Sequence, residues 1–168
     1  MGAGKTTVGR ALAARLGWKF HDLDRLIEER AGKKVAAIFA EHGEAAFRRA
    51  ESTALEELLQ EAPSQNDLVV ALGGGTFAQP GNRDRLARAG ALTVLLEAPL
   101  AELRRRCSSD HGVRPLAADA QRFADLFAAR QLAYRMAQYT VSTMGKAVED
   151  VAAEIERILT AATPEVKQ

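Results

Sequence analysis

The chain has 168 residues, 47% hydrophobic and 27% charged, enough to bury the core of one folded domain and outside the range of a disordered chain. Its 23 Lys and Arg against 22 Asp and Glu leave a net charge of +1. No global basic field therefore attracts nucleic acid or an anionic membrane, and any anion site must be local. The one cysteine, Cys107, cannot form an internal disulfide and fits a reducing compartment as an ordinary thiol. No secretory leader pattern or run of about 18 apolar residues occurs, so the expectation is a cytoplasmic protein without a membrane span.

Gly2-Ala3-Gly4-Lys5-Thr6-Thr7 reads as the second half of a Walker A phosphate loop. Glycines there let successive backbone N–H groups curl around phosphate oxygens, Lys5 reaches the β- and γ-phosphates of ATP, and the Thr6 hydroxyl suits Mg²⁺. Val8, Leu12 and Leu16 recur at helical spacing before Gly17, which predicts a helix over 5–16 that lends its positive end to the same anion. Walker A places its first glycine two residues before Met1, after a buried strand that presents the loop. Neither lies in the 168 residues, and such a central strand would bury roughly five apolar side chains at about 1.5–3 kcal/mol each. The expectation is that the natural chain starts upstream and that Met1 is internal to the loop.

Trp18-Lys19-Phe20-His21 alternates as a strand and delivers Asp22 and Asp24 at its carboxyl end, where ligands bind in open α/β sheets. Because alternate residues leaving a strand share a direction, one carboxylate could hold Mg²⁺ through water while the other meets a substrate hydroxyl. A helix N-cap with a solvated neighbour is the structural alternative. Helices are predicted over 24–31, 35–41 and 44–61, the last carrying Phe47-Arg48-Arg49-Ala50-Glu51, which by itself reads as a charged face.

Leu68 to Leu72 is a continuous apolar run, as for a strand buried on both faces of a parallel sheet. It is closed by Gly73-Gly74-Gly75, a conformational cost that makes sense where a ligand approaches the backbone closely, although a tight turn would also use it. Leu92 to Leu96 and Tyr139 to Ser142 are further strands, alternating with helical patterns over 82–89, 99–106, 119–136 and 147–161. The repeated β-α order predicts a doubly wound α/β sheet. Residues 108–118 are polar, with Gly and Pro between two helices, and read as a mobile lid in which Arg114 could swing over the phosphates. The single domain runs over 1–162, and 163–168 is a frayed tail. Arg130, on the helix after the lid, faces either site or solvent by spacing alone.

In this order, GAGKTT, HDLD, AFRRAE, ALGGGT, VRPLA and AARQLAY resemble the shikimate kinase family over nearly the whole chain. The resemblance implies a P-loop three-layer fold with a five-stranded parallel sheet of order 2-3-1-4-5, the first strand lacking here. It also implies transfer of a phosphoryl group from ATP to the 3-hydroxyl of shikimate, giving shikimate 3-phosphate and ADP on the route to aromatic amino acids. By the same resemblance Gly2, Ala3, Gly4, Lys5, Thr6, Thr7 and Arg114 bind ATP, Lys146 contacts adenine, Thr6 and Asp22 serve Mg²⁺, and Asp24 polarises the substrate hydroxyl. Arg48 and Arg130 clamp the carboxylate, Gly74 and Gly75 present backbone N–H groups to the ring hydroxyls, and Lys5, Asp24 and Arg114 form the catalytic set. The partners implied are ATP and shikimate alone, with a monomeric enzyme and neither nucleic acid nor membrane. Two other readings are another small-molecule kinase, such as a gluconate kinase, and a non-catalytic nucleotide-fold protein.

Overall fold

A computed structural model of the chain describes residues 2–61, 68–109 and 120–162. Helix α1 (Lys5–Leu16) starts at Gly4, whose φ of 82° lies in the left-handed region, and ends at Gly17, whose N–H returns to the Ala13 carbonyl. It buries Val8 and Leu12 against Val151, Ala152 and Ile155 of the last helix, α8 (Val148–Ala162). The same spacing was visible in the sequence. An exposed Arg15–Glu156 pair at 2.5 Å bridges the two helices and contributes at most about 1 kcal/mol.

Strand β1 (Lys19–Asp22) leads into α2 (Leu23–Ala31), and α3 (Val35–Glu61) follows with a break at Gly43, φ 75° and ψ 171°. That break separates the two helices expected over 35–41 and 44–61. The Glu28 carboxylate caps the start of α3 by accepting the Val35 N–H at 2.9 Å. β2 (Leu68–Ala71) comes next, then α4 (Gly74–Ala78) and α5 (Pro80–Arg88). β3 (Val94–Glu97), α6 (Leu100–Ser109), α7 (Ala120–Tyr134) and β4 (Tyr139–Ser142) complete the order before α8. Most boundaries fall within two residues of expectation. The short helix α4 was not foreseen, because three glycines carry no helical signal.

Among the described residues the strands form two parallel pairs, β1 with β2 (Phe20 opposite Val69) and β3 with β4 (Leu95 opposite Thr140). An order of 2-3-1-4-5 without its first strand leaves this same pair of pairs. One expectation needs correction: Val69, Val70, Leu95 and Leu96 are half-buried rather than enclosed on both faces. A groove of about 700 Å³ runs along the inner edges of β2 and β3 and keeps these side chains accessible.

A first apolar cluster packs α2 and α3 under β2 through Leu23, Ile27, Phe47, Leu55 and Leu58. A second joins α1, α8 and β4, and a third gathers Ala3, Ala98, Leu103, Cys107 and Phe123 beside the phosphate loop. Cys107, in the last turn of α6, is buried there at 4% exposure. No helix among the described residues is long and apolar enough to cross a membrane.

On α6, Glu102 accepts from Arg105 and Arg106, and these hydrogen bonds hold its carboxyl at about 2 rather than 4.5. Arg106 in turn donates to the Thr143 hydroxyl and carbonyl, tying α6 to the end of β4. A depressed folded-state pKa means the contribution is present above about 4.5 and lost as pH falls toward 2. Melting curves of the parent and Glu102→Gln should therefore differ at pH 6 and converge near pH 2; a gap that stays constant with pH would contradict this.

Candidate active site

The phosphate loop is shaped by two left-handed glycines, Gly2 at φ 69° and Gly4 at φ 82°. A side chain is excluded at Gly2 twice over, since a Cβ would also overlap the Leu103 carbonyl and lie 2.9 Å from Cys107 Sγ. Lys5, Thr6 and Thr7 form the first turn of α1, whose leading N–H groups have no acceptor within the helix. The Thr6 hydroxyl donates to Asp22 Oδ2 at 2.6 Å. The other Asp22 oxygen, Oδ1, accepts the Arg25 N–H at 3.4 Å and caps α2.

The helix-cap reading of the DxD pair holds for Asp22, which caps α2 and also accepts the Thr6 hydroxyl of the loop. Asp24, however, does not extend a strand direction. It sits in the first turn of α2, so the two carboxylates are arranged by helix geometry rather than by strand alternation. Asp24 Oδ1 reaches the second feature of the site, lying 3.1 Å from where a Cβ on Gly73 would stand.

That feature is the glycine triplet. Gly73 caps α4 and its carbonyl accepts from Thr76 and Phe77, which leaves the Gly74 and Gly75 N–H groups at the open helix end. Each glycine is faced by a different polar side chain. A Cβ on Gly75 would overlap the Arg48 guanidinium; one on Gly74 would overlap the Tyr134 hydroxyl and come within 3.4 Å of Arg130 Nη1. Asp24, Arg130 and Arg48, far apart in sequence, thus converge on three consecutive backbone positions.

Arg48 is held from behind. Its Nη1 donates to Glu51 Oε2 at 2.7 Å and its Nη2 to Glu44 Oε1 at 2.8 Å, and it lies about 6 Å from the Phe39 and Phe47 ring centres. Burial opposes the charge, but the Glu51 and Glu44 hydrogen bonds outweigh it and keep the Arg48 pKa above its ordinary value. Glu51, 1% exposed, also accepts the Thr76 hydroxyl at 2.6 Å and Gln79 Nε2 at 3.3 Å. The charged-face reading of this helix is corrected here, because Glu51 points inward and ties α3 to α4. Glu51 and Tyr134 were missed as site residues; only the i,i+3 spacing of Arg48 and Glu51 hinted at the first.

Lys146 stands between β4 and α8 and pairs with Glu154 at 2.6 Å rather than with a site residue. Arg114 and the core of the expected lid lie outside the described residues, as does the tail. Among the described residues no three His, Cys, Asp or Glu gather as a metal cage.

A glycine-shaped loop opening a helix, beside parallel strands and a cationic substrate pocket, defines a P-loop phosphotransferase. The shikimate kinase family model matches residues 1–160. A shikimate kinase of Geobacter metallireducens is 42% identical over 158 residues, covering 92% of this chain and 85% of the relative; one of Thermus thermophilus is 41% identical over 92% and 83%. Among solved structures, shikimate kinase from Acinetobacter baumannii in complex with shikimate superposes with a TM-score of 0.87 at 37% identity, covering 99% of this chain and 91% of that one. That from Aquifex aeolicus gives 0.82 at 30%, over 96% and 94%. The chain belongs to the shikimate kinase family.

Proposed function

We propose that this chain transfers the γ-phosphoryl group of ATP to the 3-hydroxyl of shikimate, releasing ADP and shikimate 3-phosphate. The observation that carries this reading is the convergence of Asp24, Arg130 and Arg48 on Gly73–Gly75, a carboxylate and two guanidiniums around one open helix end. Two guanidiniums suit a carboxylate, which they meet by paired N–H···O bonds. The free N–H groups of Gly74 and Gly75 suit ring hydroxyls. Asp24, beside this cradle, orients the attacking hydroxyl and accepts its proton as the O–P bond forms.

Gly2 to Thr7 hold the phosphates, Lys5 neutralises charge on the transferred group, and Arg114 would add charge from the lid segment. Lys146 is assigned to the adenine end. The Thr6 hydroxyl and Asp22 carboxylate, 2.6 Å apart, are hard oxygen donors of the kind Mg²⁺ takes alongside substrate phosphates and water. When bound, Mg²⁺ would neutralise phosphate charge there. The working protein is read as a cytoplasmic monomer, with residues 1–162 as one domain and ATP and shikimate as its partners.

The test is ADP release from Mg-ATP with shikimate, with gluconate, and with neither, on protein shown to be folded by circular dichroism. Shikimate-dependent ADP is expected; release with gluconate alone would assign the site to another acceptor, and release with neither would sink the reading. Arg48→Ala and Arg130→Ala should each raise the KM for shikimate about 10- to 100-fold, the loss of one charge-assisted pair, with the KM for ATP little changed. An unchanged shikimate KM in either variant would remove that arginine from the clamp.

A further inference from the structure

Gly74 opens α4 without a positive φ, so its backbone does not require glycine. Space requires it. A Cβ there would overlap the Tyr134 hydroxyl and stand 3.4 Å from Arg130 Nη1. Tyr134 and Arg130 are four residues apart on α7 and therefore share one helix face. Tyr134 ends that helix, and its carbonyl accepts the Ala137 N–H at 3.1 Å, which fixes the backbone from which the ring extends. The ring lines a cavity with Phe123, Phe127 and Arg130 beside the end of β3.

The two arginines of the site differ in what holds them. Arg48 has the Glu51 and Glu44 carboxylates behind it. Among the described residues, neither the Arg130 guanidinium nor the Tyr134 hydroxyl has a hydrogen-bond partner, and neither is sealed from solvent. A cation with no counter-charge and a neutral donor thus stand together over Gly74, and the ligand chemistry that satisfies both is an anionic oxygen. The geometry points to Tyr134 as a further substrate-binding residue, whose hydroxyl donates to an oxygen of the same carboxylate that Arg130 grips. The identity of the acid rests on the shikimate reading above; the choice of a carboxylate rests on the two open donors. Gly74 has no side chain because the hydroxyl occupies that space.

The test titrates two acids calorimetrically into the parent and into Tyr134→Phe: shikimate, and cyclohexene carboxylate, which keeps the carboxylate and lacks the ring hydroxyls. The weaker acid is measured by displacement of shikimate. Tyr134→Phe should weaken both acids about tenfold, the loss of one hydrogen bond to a charged group, with ATP affinity and Tm near those of the parent. In an Arg130→Ala background the same change should still weaken shikimate at least about threefold, because the hydroxyl touches the ligand itself. Gly74→Ala should cost less affinity in Tyr134→Phe than in the parent, since the added methyl group displaces the hydroxyl. Unchanged affinity for both acids would overturn the proposal, and a loss for shikimate alone would do so by assigning the hydroxyl to a ring oxygen. No further loss in the Arg130→Ala background would reduce Tyr134 to a support for Arg130 and overturn it equally. A parent that bound shikimate without releasing ADP would contradict the proposed reaction alone, because the titrations would still decide the role of Tyr134; a parent that bound neither acid would overturn both.

Discussion

Asp24→Asn should lower kcat by about 10²–10⁴-fold while ATP affinity stays near that of the parent. The reason is spatial. The carboxylate lies 3.1 Å from the Cβ position of Gly73, beside the glycine triplet proposed to meet the substrate, whereas the proposed phosphate cradle is Gly2 to Thr7. Asparagine keeps the shape and one acceptor oxygen, so α2 should still form under its Asp22 cap, but the amide cannot take up the hydroxyl proton. Steady-state kinetics paired with nucleotide titration separates the two roles. A variant with near-parent turnover would take Asp24 out of the chemistry, and one that had also lost ATP affinity would place it in the cradle.

Glu51→Ala should be the most damaging single change to stability, about 3–5 kcal/mol and a fall in Tm of roughly 10 °C. It would leave the half-buried Arg48 without its 2.7 Å partner and the fully buried Thr76 hydroxyl without its acceptor. It should also raise the shikimate KM, because Arg48 would lose one of the two carboxylates that aim it over Gly75. Glu51→Gln keeps the shape and one acceptor oxygen for the donors Arg48 and Gln79, and its amide can turn to the Thr76 hydroxyl oxygen, so it should recover part of the stability and less of the KM. If Glu51→Ala melted with the parent and bound shikimate normally, the network linking α3 to α4 would have no energetic weight. Thermal melts and a shikimate titration at saturating ATP distinguish these outcomes.

Much of the site was legible because its elements are local. The phosphate loop needs only glycine freedom, a lysine and a hydroxyl at the start of one helix, and all of these are adjacent in sequence. Asp22 and Asp24 were singled out at the end of a strand, but an extended direction was assumed where helix α2 had already begun. Arg48 was recoverable only through resemblance, since a guanidinium on an exposed helix face and one aimed into a pocket have the same spacing. Glu51 was hidden for the opposite reason, since a carboxylate among arginines reads as solvated until the fold buries it at 1% exposure.

The sequence by itself determined the alternation of strand and helix, the phosphate loop and the reaction class, since these rest on periodicity and on contacts within a few residues. Only the tertiary structure decided what the glycine triplet meets, because Asp24, Arg130 and Arg48 approach it from three helices distant in sequence. Among the described residues, the unpaired inner edges of β2 and β3 agree with the first strand that the resemblance implies is lacking. Hydrophobicity says that a strand seeks burial, but which backbone edge finds a partner depends on every other strand in the sheet.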